Sequence, residues 1–405
     1  MTTPPSTAKR PIGFVRPRIP TNLRQYGILA ALAIIILLFQ VLTNGRLLLP
    51  GNINNLIQQN AYVLILAVGM VIVIIGGHID LSVGSVVAMV GAITAISMTQ
   101  WGLPWWGAVI IALVVGALVG AWQGFWVAFV GIPAFIVTLA GMLLFRGLTL
   151  VFLSGGTINA LPAEFNAIGG GWLPEVFGSI GEGRGSRDIL TLVLGAVAVA
   201  ALLVQQFRAR AKQKRLELVT EGSLSFWSKI VIAGVAILAL AWQLSGYRGT
   251  PVILVIVGLL ILVFTFVLNR SVFGRHVYAI GGNLFAAQMS GVKTSWVNFF
   301  IFVNMGTLAG LAGVVTTARA GGAVASAGQS FELDAIAAVF IGGAAVTGGV
   351  GTVIGAVIGA LIMGVLNMGL SILSVDAAWQ QSIKGLVLLL AVAFDVLSKR
   401  RGGGR

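Results

Sequence analysis

The chain of 405 residues contains no cysteine, which removes disulfides, thiolate metal sites and cysteine nucleophiles from consideration. Its two histidines, His78 and His276, are too few for an ordinary histidine-based centre, so no metal site is expected. Charge is also scarce: Asp, Glu, Lys and Arg together make up 9% of the residues, against about 25% in an ordinary soluble domain. A Gly-x-x-x-x-Gly-Lys-[Ser/Thr] phosphate cradle is missing, because the glycine clusters lack the lysine that would reach the phosphates. Without a nucleophile–base spacing there is no catalytic residue to nominate, and a membrane enzyme has no apparatus here. Any ATP that drives this protein is bound by another polypeptide.

Apolar side chains fill the space, at 58% of the residues, together with 55 glycines. Apolar runs lie at about 26–42, 60–76, 83–98, 105–130, 132–153, 189–207, 230–246, 252–268, 296–316, 335–346, 350–373 and 379–397. A helix rising 1.5 Å per residue crosses a hydrocarbon core of about 30 Å in about 20 residues. The fold class is therefore an all-α membrane protein, a polytopic helical bundle with about 10–12 transmembrane helices. The run at 335–346 is too short to cross alone and reads as re-entrant or as half of a broken helix. Glycines at every fourth position, Gly116, Gly120 and Gly124, then Gly351, Gly355 and Gly359, fall on one stripe of a helix. Small residues there let two backbones approach. Helix packing is the plain reading, and a pore lined by backbone is the other.

Net charge is +14. In a soluble protein that excess would suggest nucleic acid, but the basic residues follow loop topology instead. Lys9, Arg10, Arg16, Arg18 and Arg24 precede the first run; Arg208, Arg210, Lys212, Lys214, Arg215 and Lys229 flank one long break. Arg270, Arg275 and Lys293 lie in another, and Lys399, Arg400, Arg401 and Arg405 close the chain. Counting crossings from a cytoplasmic N-terminus puts 208–229, 269–295 and the C-terminus all inside, in agreement with the positive-inside rule. The expected organisation is a basic tail at 1–25, one membrane domain at 26–397 and a basic tail at 398–405. The first apolar run is too long for a signal sequence and lacks a cleavage pattern, so it reads as a retained span. Residues 154–188 carry Glu164, Glu175, Glu182 and Asp188 among many turn residues and read as an exposed external loop.

Three segments interrupt the apolar pattern. In Gly76-Gly77-His78-Ile79-Asp80-Leu81-Ser82-Val83-Gly84-Ser85, paired glycines end one helix and Asp80 can cap the next by accepting from amides two or three residues on. A carboxylate in hydrocarbon must be capped, paired or wetted. The segment is thus either a short capped turn near the membrane face or the break of a discontinuous helix that lines or gates a path. A second carboxylate-led start, Glu332-Leu333-Asp334, runs into the glycine-rich stretch 342–351 and poses the same alternatives. The third segment lies at 274–292. Asn283 is a good cap, Leu284 to Ser290 can make two turns and Gly291 can end them. The result is a short cytoplasmic helix carrying the small residues Ala286 and Ala287, which permit close docking of a partner.

The pattern Ala286-Ala287-x-x-x-Gly291, led by Tyr278-Ala279-Ile280-Gly281-Gly282-Asn283 and followed through Ser290, resembles the coupling loop of ABC importer permeases. Its context is similar to the ribose/xylose/galactose branch of sugar permeases. Ile79-Asp80-Leu81-Ser82-Val83-Gly84, Phe135 to Met142 with Phe145-Arg146-Gly147, and Glu332 to Ala338 are further marks of that branch. The resemblance covers about residues 50 to 400. The basic 208–229 loop with its span pair, Trp379-Gln380 and Ile383-Lys384-Gly385, look like the xylose-type subgroup, from which Phe285 departs where an acidic residue is usual.

The resemblance implies an ATP-driven importer of a monosaccharide, xylose before related sugars, in a bacterial inner membrane. It implies a homodimer in lipid, a cytoplasmic ATPase that binds ATP and Mg and docks on Gly282–Gly291, and an external sugar-binding protein that delivers substrate. Choice of sugar would rest with that protein, so no deep sugar site is expected in this chain. Asp80, Ser82, Gly84, Arg146, Glu332 and Asp334 are the candidates for gating or structural pairing, Arg146 either pairing with a carboxylate or reaching the outer face. The rival is an ion-coupled secondary sugar transporter, which would want intramembrane carboxylates as proton relays.

Overall fold

The computed structural model describes residues 22–181, 186–216 and 222–403. The basic tail at 1–25, apart from the backbone of its last residues, lies outside them, as do Glu182, Arg184, residues 217–221 and the side chains of the C-terminal tail. The chain opens with α1 (Asn22–Leu42), α2 (Pro50–Gln59), α3 (Ala61–Ile75), α4 (Val83–Thr99) and α5 (Trp105–Phe125), the last continued by a wider π turn at Trp126–Val130. Then come α6 (Ala134–Leu153), β1 (Thr157–Asn159), α7 (Ala163–Gly170), β2 (Ser179–Ile180), β3 (Arg187–Asp188), α8 (Ile189–Arg215), α9 (Ser223–Ser245) and α10 (Val252–Arg270). The last part holds α11 (Val272–Gly282), α12 (Leu284–Met289), α13 (Thr294–Ala320), β4 (Gly322–Val324), α14 (Phe331–Ile341), α15 (Val353–Ile372) and α16 (Ala377–Gly403).

Among the described residues, seven helices are long and apolar enough to cross a membrane, and α2 with α3, bent by 43° at Asn60, makes an eighth span if counted as one. Three shorter apolar helices, Gly27–Leu42, Val83–Thr99 and Ala377–Ala393, stand beside them. Eleven of the twelve runs anticipated from the sequence coincide with one of these, and the twelfth, 335–346, overlaps α14, which is only 11 residues long. Helices α2, α7 and α11 carry no long apolar run and were not separated by the sequence pattern.

The centre of the bundle is α3, which is apolar all round and buried on nearly every side, as a helix with no polar face must be. Around it pack α13, α14, α15 and α10. The glycine stripe of α5 is a packing seam. A methyl group at Gly116 would meet the backbone of Gly306 and Gly310, and one at Gly124 the backbone of Phe299. Gly306 and Gly310 of α13 answer from the other side, against Gly120 and Ala112. Gly355 and Gly359 similarly face Gly342 and Ala338 of α14. Gly351 corrects the expected second stripe: it lies in the loop ahead of α15, against the side chain of Ile75. Helices α8 and α9 form a hairpin closed by Phe207 on Phe226 and Trp227, and both keep most of their apolar surface outward.

The 154–188 segment is mostly exposed among its described residues but is anchored by a few buried ones. Phe165 of α7 is fully buried and Leu161 nearly so, because Gly169 brings α7 onto the end of α13 at Val315 and Arg319. β1 pairs antiparallel with β4, Thr157 opposite Val324. Asp188 is buried and caps α8 by accepting from the amides of Leu190 and Thr191, so it is a structural acid and not part of an acidic surface.

Candidate functional site

The chain carries two polar assemblies, one at an end of the bundle and one inside it. The first is the foot formed by α11 and α12. Ser271 caps α11, accepting from the Gly274 amide at 3.0 Å. Asn283 ends α11 and caps α12, accepting from the Ala286 amide at 3.0 Å. Gly291 then takes φ +81°, a left-handed conformation that only glycine adopts freely, and this stops the helix. Gly282, Asn283, Leu284, Phe285, Ala286, Met289 and Ser290 are all exposed, with Phe285 at 69% and Met289 at 70%. Ala287 corrects the expectation of two docking alanines: it is 4% exposed and turns into the chain's own core, leaving Ala286 to face outward.

The foot grips both glycine-rich breaks. Gly281 packs so closely on the carbonyl of Ile75, at the end of α3, and on the amide of Gly349 that no side chain fits there. The Gly349 amide itself donates to Ile75 O at 2.8 Å. Tyr278 of α11 donates its hydroxyl proton to the carbonyl of Gly351 at 2.7 Å. Helix α11 is thus joined to the end of α3 and to the loop between α14 and α15.

The second assembly lies within the bundle. Gly76 sits beside Ile301 of α13, whereas Gly91 of α4 faces Thr317 and Val87 faces Gly313. Stepping back along α4 from Val87 puts its first residue, Val83, near position 309 of the 27-residue α13, about 12 Å further along than Gly76 at 1.5 Å per residue. Helix α4 thus starts well inside the length of the bundle, and residues 77–82 form an extended break between α3 and α4.

At that break Asp80 Oδ1 accepts from the amide of Ser82 at 2.8 Å and from its hydroxyl at 2.7 Å. The Ser82 hydroxyl also accepts from Nε2 of Gln123, on α5, at 2.6 Å. Asp80 is 3% exposed and Ser82 fully buried, so this short network satisfies groups that hydrocarbon cannot. Gly84 leaves the room next to it: the carbonyl of Gly328 and the carboxylate of Glu332 occupy the place of a side chain. The start of α14 is thereby seated on the start of α4.

Arg146 of α6 lies close enough to Glu332 for their charges to attract, but its hydrogen bonds go to backbone. Its guanidinium donates to the carbonyls of Ala325 at 3.0 Å and Ala327 at 2.7 Å, tying down the loop that leads into α14. Asp334 has two partners, the hydroxyl of Tyr62 at 2.7 Å and the ammonium of Lys384 at 3.1 Å. Tyr62 also stacks on Phe331, with ring centroids 3.5 Å apart. Of the six gating candidates, Asp80, Ser82, Gly84 and Glu332 meet at one break, while Arg146 and Asp334 hold the segment on either side of it. Gln123, Tyr62 and Tyr278 were not nominated from the sequence. Lys384 was noted only as part of a family pattern.

Broken apolar helices around a buried polar break, joined to an exposed foot, define a polytopic membrane protein of the transporter class. The chain belongs to the family described as branched-chain amino acid transport system / permease component, which matches residues 52–392. It is 40% identical over 380 residues to the xylose transport system permease protein XylH of Escherichia coli, covering 94% of this chain and 93% of that one. With the Haemophilus influenzae protein of the same name the identity is 39%, over 94% and 98% of the two chains. The ribose import permease protein RbsC of Haemophilus influenzae is 34% identical, over 90% and 91%. No solved structure matches. The chain is a transport permease subunit and not an enzyme.

Proposed function

We propose that this chain is the membrane-spanning subunit of an ATP-binding-cassette importer that carries a monosaccharide, xylose foremost, into the cell. The observation that carries the reading is the identity of about 40% with xylose permeases over 94% of the chain. The family description alone names amino acids, so the choice of a sugar rests on those relatives. In this reading a separate ATPase binds ATP and Mg and docks on the exposed face of α12, where Phe285, Ala286 and Met289 stand free. Because Gly281 and Tyr278 join α11 to both helix breaks, closure of that ATPase would move α3, α14 and α15 as a set. Two copies of the chain form the transporter in an inner membrane with both termini cytoplasmic, and an external sugar-binding protein delivers the substrate.

The test is reconstitution. The chain is placed in liposomes with its ATPase inside and its binding protein outside, and uptake of labelled xylose is followed. Uptake that needs both partners and internal ATP is expected. Xylose accumulation by the chain alone, driven by a proton gradient, would instead establish an ion-coupled transporter.

A further inference from the structure

At the end of the bundle opposite the foot lies a cavity of about 310 Å³, bounded by the N-terminal ends of α3, α14 and α16 and the C-terminal ends of α13 and α15. Small-molecule sites begin at roughly this size, about 300 Å³, and a water molecule occupies only about 30 Å³ of liquid. The lining is polar for a space between apolar helices, and such polar ground in a membrane protein is functional by default.

Its chemistry is that of a neutral polyol receptor. Asn367 and Thr316 line the cavity, and Asn367 Oδ1 and Thr316 Oγ1 are buried there without a hydrogen-bond partner. Asn367 is 93% buried by its relative exposure of 7% and is held by a bond from its Nδ2 to Asn60 Oδ1 at 3.2 Å. A buried acceptor left unmatched is destabilising, and a ligand hydroxyl donating to it removes that cost. Tyr62 and Phe331, stacked on one another, add an aromatic wall for the C–H face of a sugar ring. The charge on the wall is modest: Lys384 is paired with Asp334 at 3.1 Å and Arg319 is the other cation in the lining, so the neutral sugar is tested against its carboxylate analogue.

Position supplies the second argument. Thr316 and Thr294 are 22 residues apart on α13, so the cavity lies about 33 Å from the foot at 1.5 Å per residue. Helices α3, α14 and α15 each run from the cavity to the breaks that the foot grips. We propose that this cavity is a binding site for the monosaccharide in transit, resting on the sugar-importer reading above, with Asn367 and Thr316 as its principal hydrogen-bonding residues. The permease then meets the sugar through side chains of its own, contrary to the expectation that it offers no deep site.

The full chain in lipid nanodiscs, without its partners, is titrated with radiolabelled D-xylose in a proximity assay. Saturable binding displaced by unlabelled xylose is expected, weakened at least tenfold by Asn367→Leu and several-fold by the isosteric Thr316→Val. Each variant is first shown to run as a single symmetric peak on size exclusion. Absence of saturable binding by the wild-type chain overturns the proposal, as does equal binding by the wild type and both variants, or tighter binding of xylonate than of xylose. If the assembled transporter imports xylose with ATP while the isolated chain binds none, this site falls and the importer reading stands. If the assembled transporter carries no sugar at all, both fall.

Discussion

Lys384→Met tests whether the Asp334–Lys384 pair is what holds α16 on the core. The two charges stand 3.1 Å apart, and at an effective dielectric of about 20 their attraction is roughly 5 kcal/mol before desolvation is subtracted. Removing one partner of a buried pair costs about 3–5 kcal/mol, because the other charge is left stranded. Asp334 is 2% exposed at its side chain but Lys384 is 20% exposed, and the Tyr62 hydroxyl still serves the carboxylate at 2.7 Å. Both facts place the loss at the lower end, about 3 kcal/mol. The double variant Asp334→Asn/Lys384→Met removes both charges and should return to within about 1 kcal/mol of the wild type, since a neutral pair has no stranded ion. SDS unfolding in mixed micelles, followed by tryptophan fluorescence, gives all four corners of the cycle. A loss below about 0.5 kcal/mol in Lys384→Met, or a double variant as unstable as the single one, would refute the assignment of a structural ion pair.

Arg146→Met should free the loop before α14: two hydrogen bonds from a charged donor, worth about 1.5–3 kcal/mol each at most, leave the carbonyls of Ala325 and Ala327. Amide exchange across 325–331 should accelerate at least tenfold, and unchanged exchange would remove the anchoring role. Gly306→Leu forces a side chain into the backbone of Gly120, well beyond the roughly 1–3 kcal/mol of ordinary overpacking. Folded yield should collapse, whereas Gly147→Leu, with open space about Gly147, should express normally. Gly291→Pro cannot keep φ at +81° and should abolish ATP-dependent uptake while the subunit remains inserted and monodisperse. Normal uptake in that variant would separate α12 from coupling.

The apolar runs, the foot and the glycine seams were legible without coordinates because each rests on local chemistry. Hydrocarbon length sets the span positions, Asn283 and Gly291 bracket α12 by capping and backbone freedom, and fourth-residue glycines on α5 mark a close helix contact. Four residues of spacing could not tell a helical stripe from a loop position, which is why Gly351 was grouped with Gly355 and Gly359. The burial of Phe165 and the capping role of Asp188 were hidden for the same reason, as composition reports what a segment contains and not what packs on it.

Tertiary structure alone decided the pairings. Arg146 and Lys384 are both lone cations in apolar surroundings, and nothing in their neighbourhoods along the chain says that one takes backbone carbonyls and the other takes Asp334. That choice follows from which helices cross beside them, 179 residues away for the Arg146–Ala325 contact and 50 for the Lys384–Asp334 pair. The depth at which α4 begins was equally unreadable, since Asp80 would cap a helix start at the membrane face or inside it by the same local bonds. Only the seating of Gly91 and Val87 against α13 fixes the break within the bundle, because a level in the membrane belongs to contacts between helices and to no single stretch of sequence.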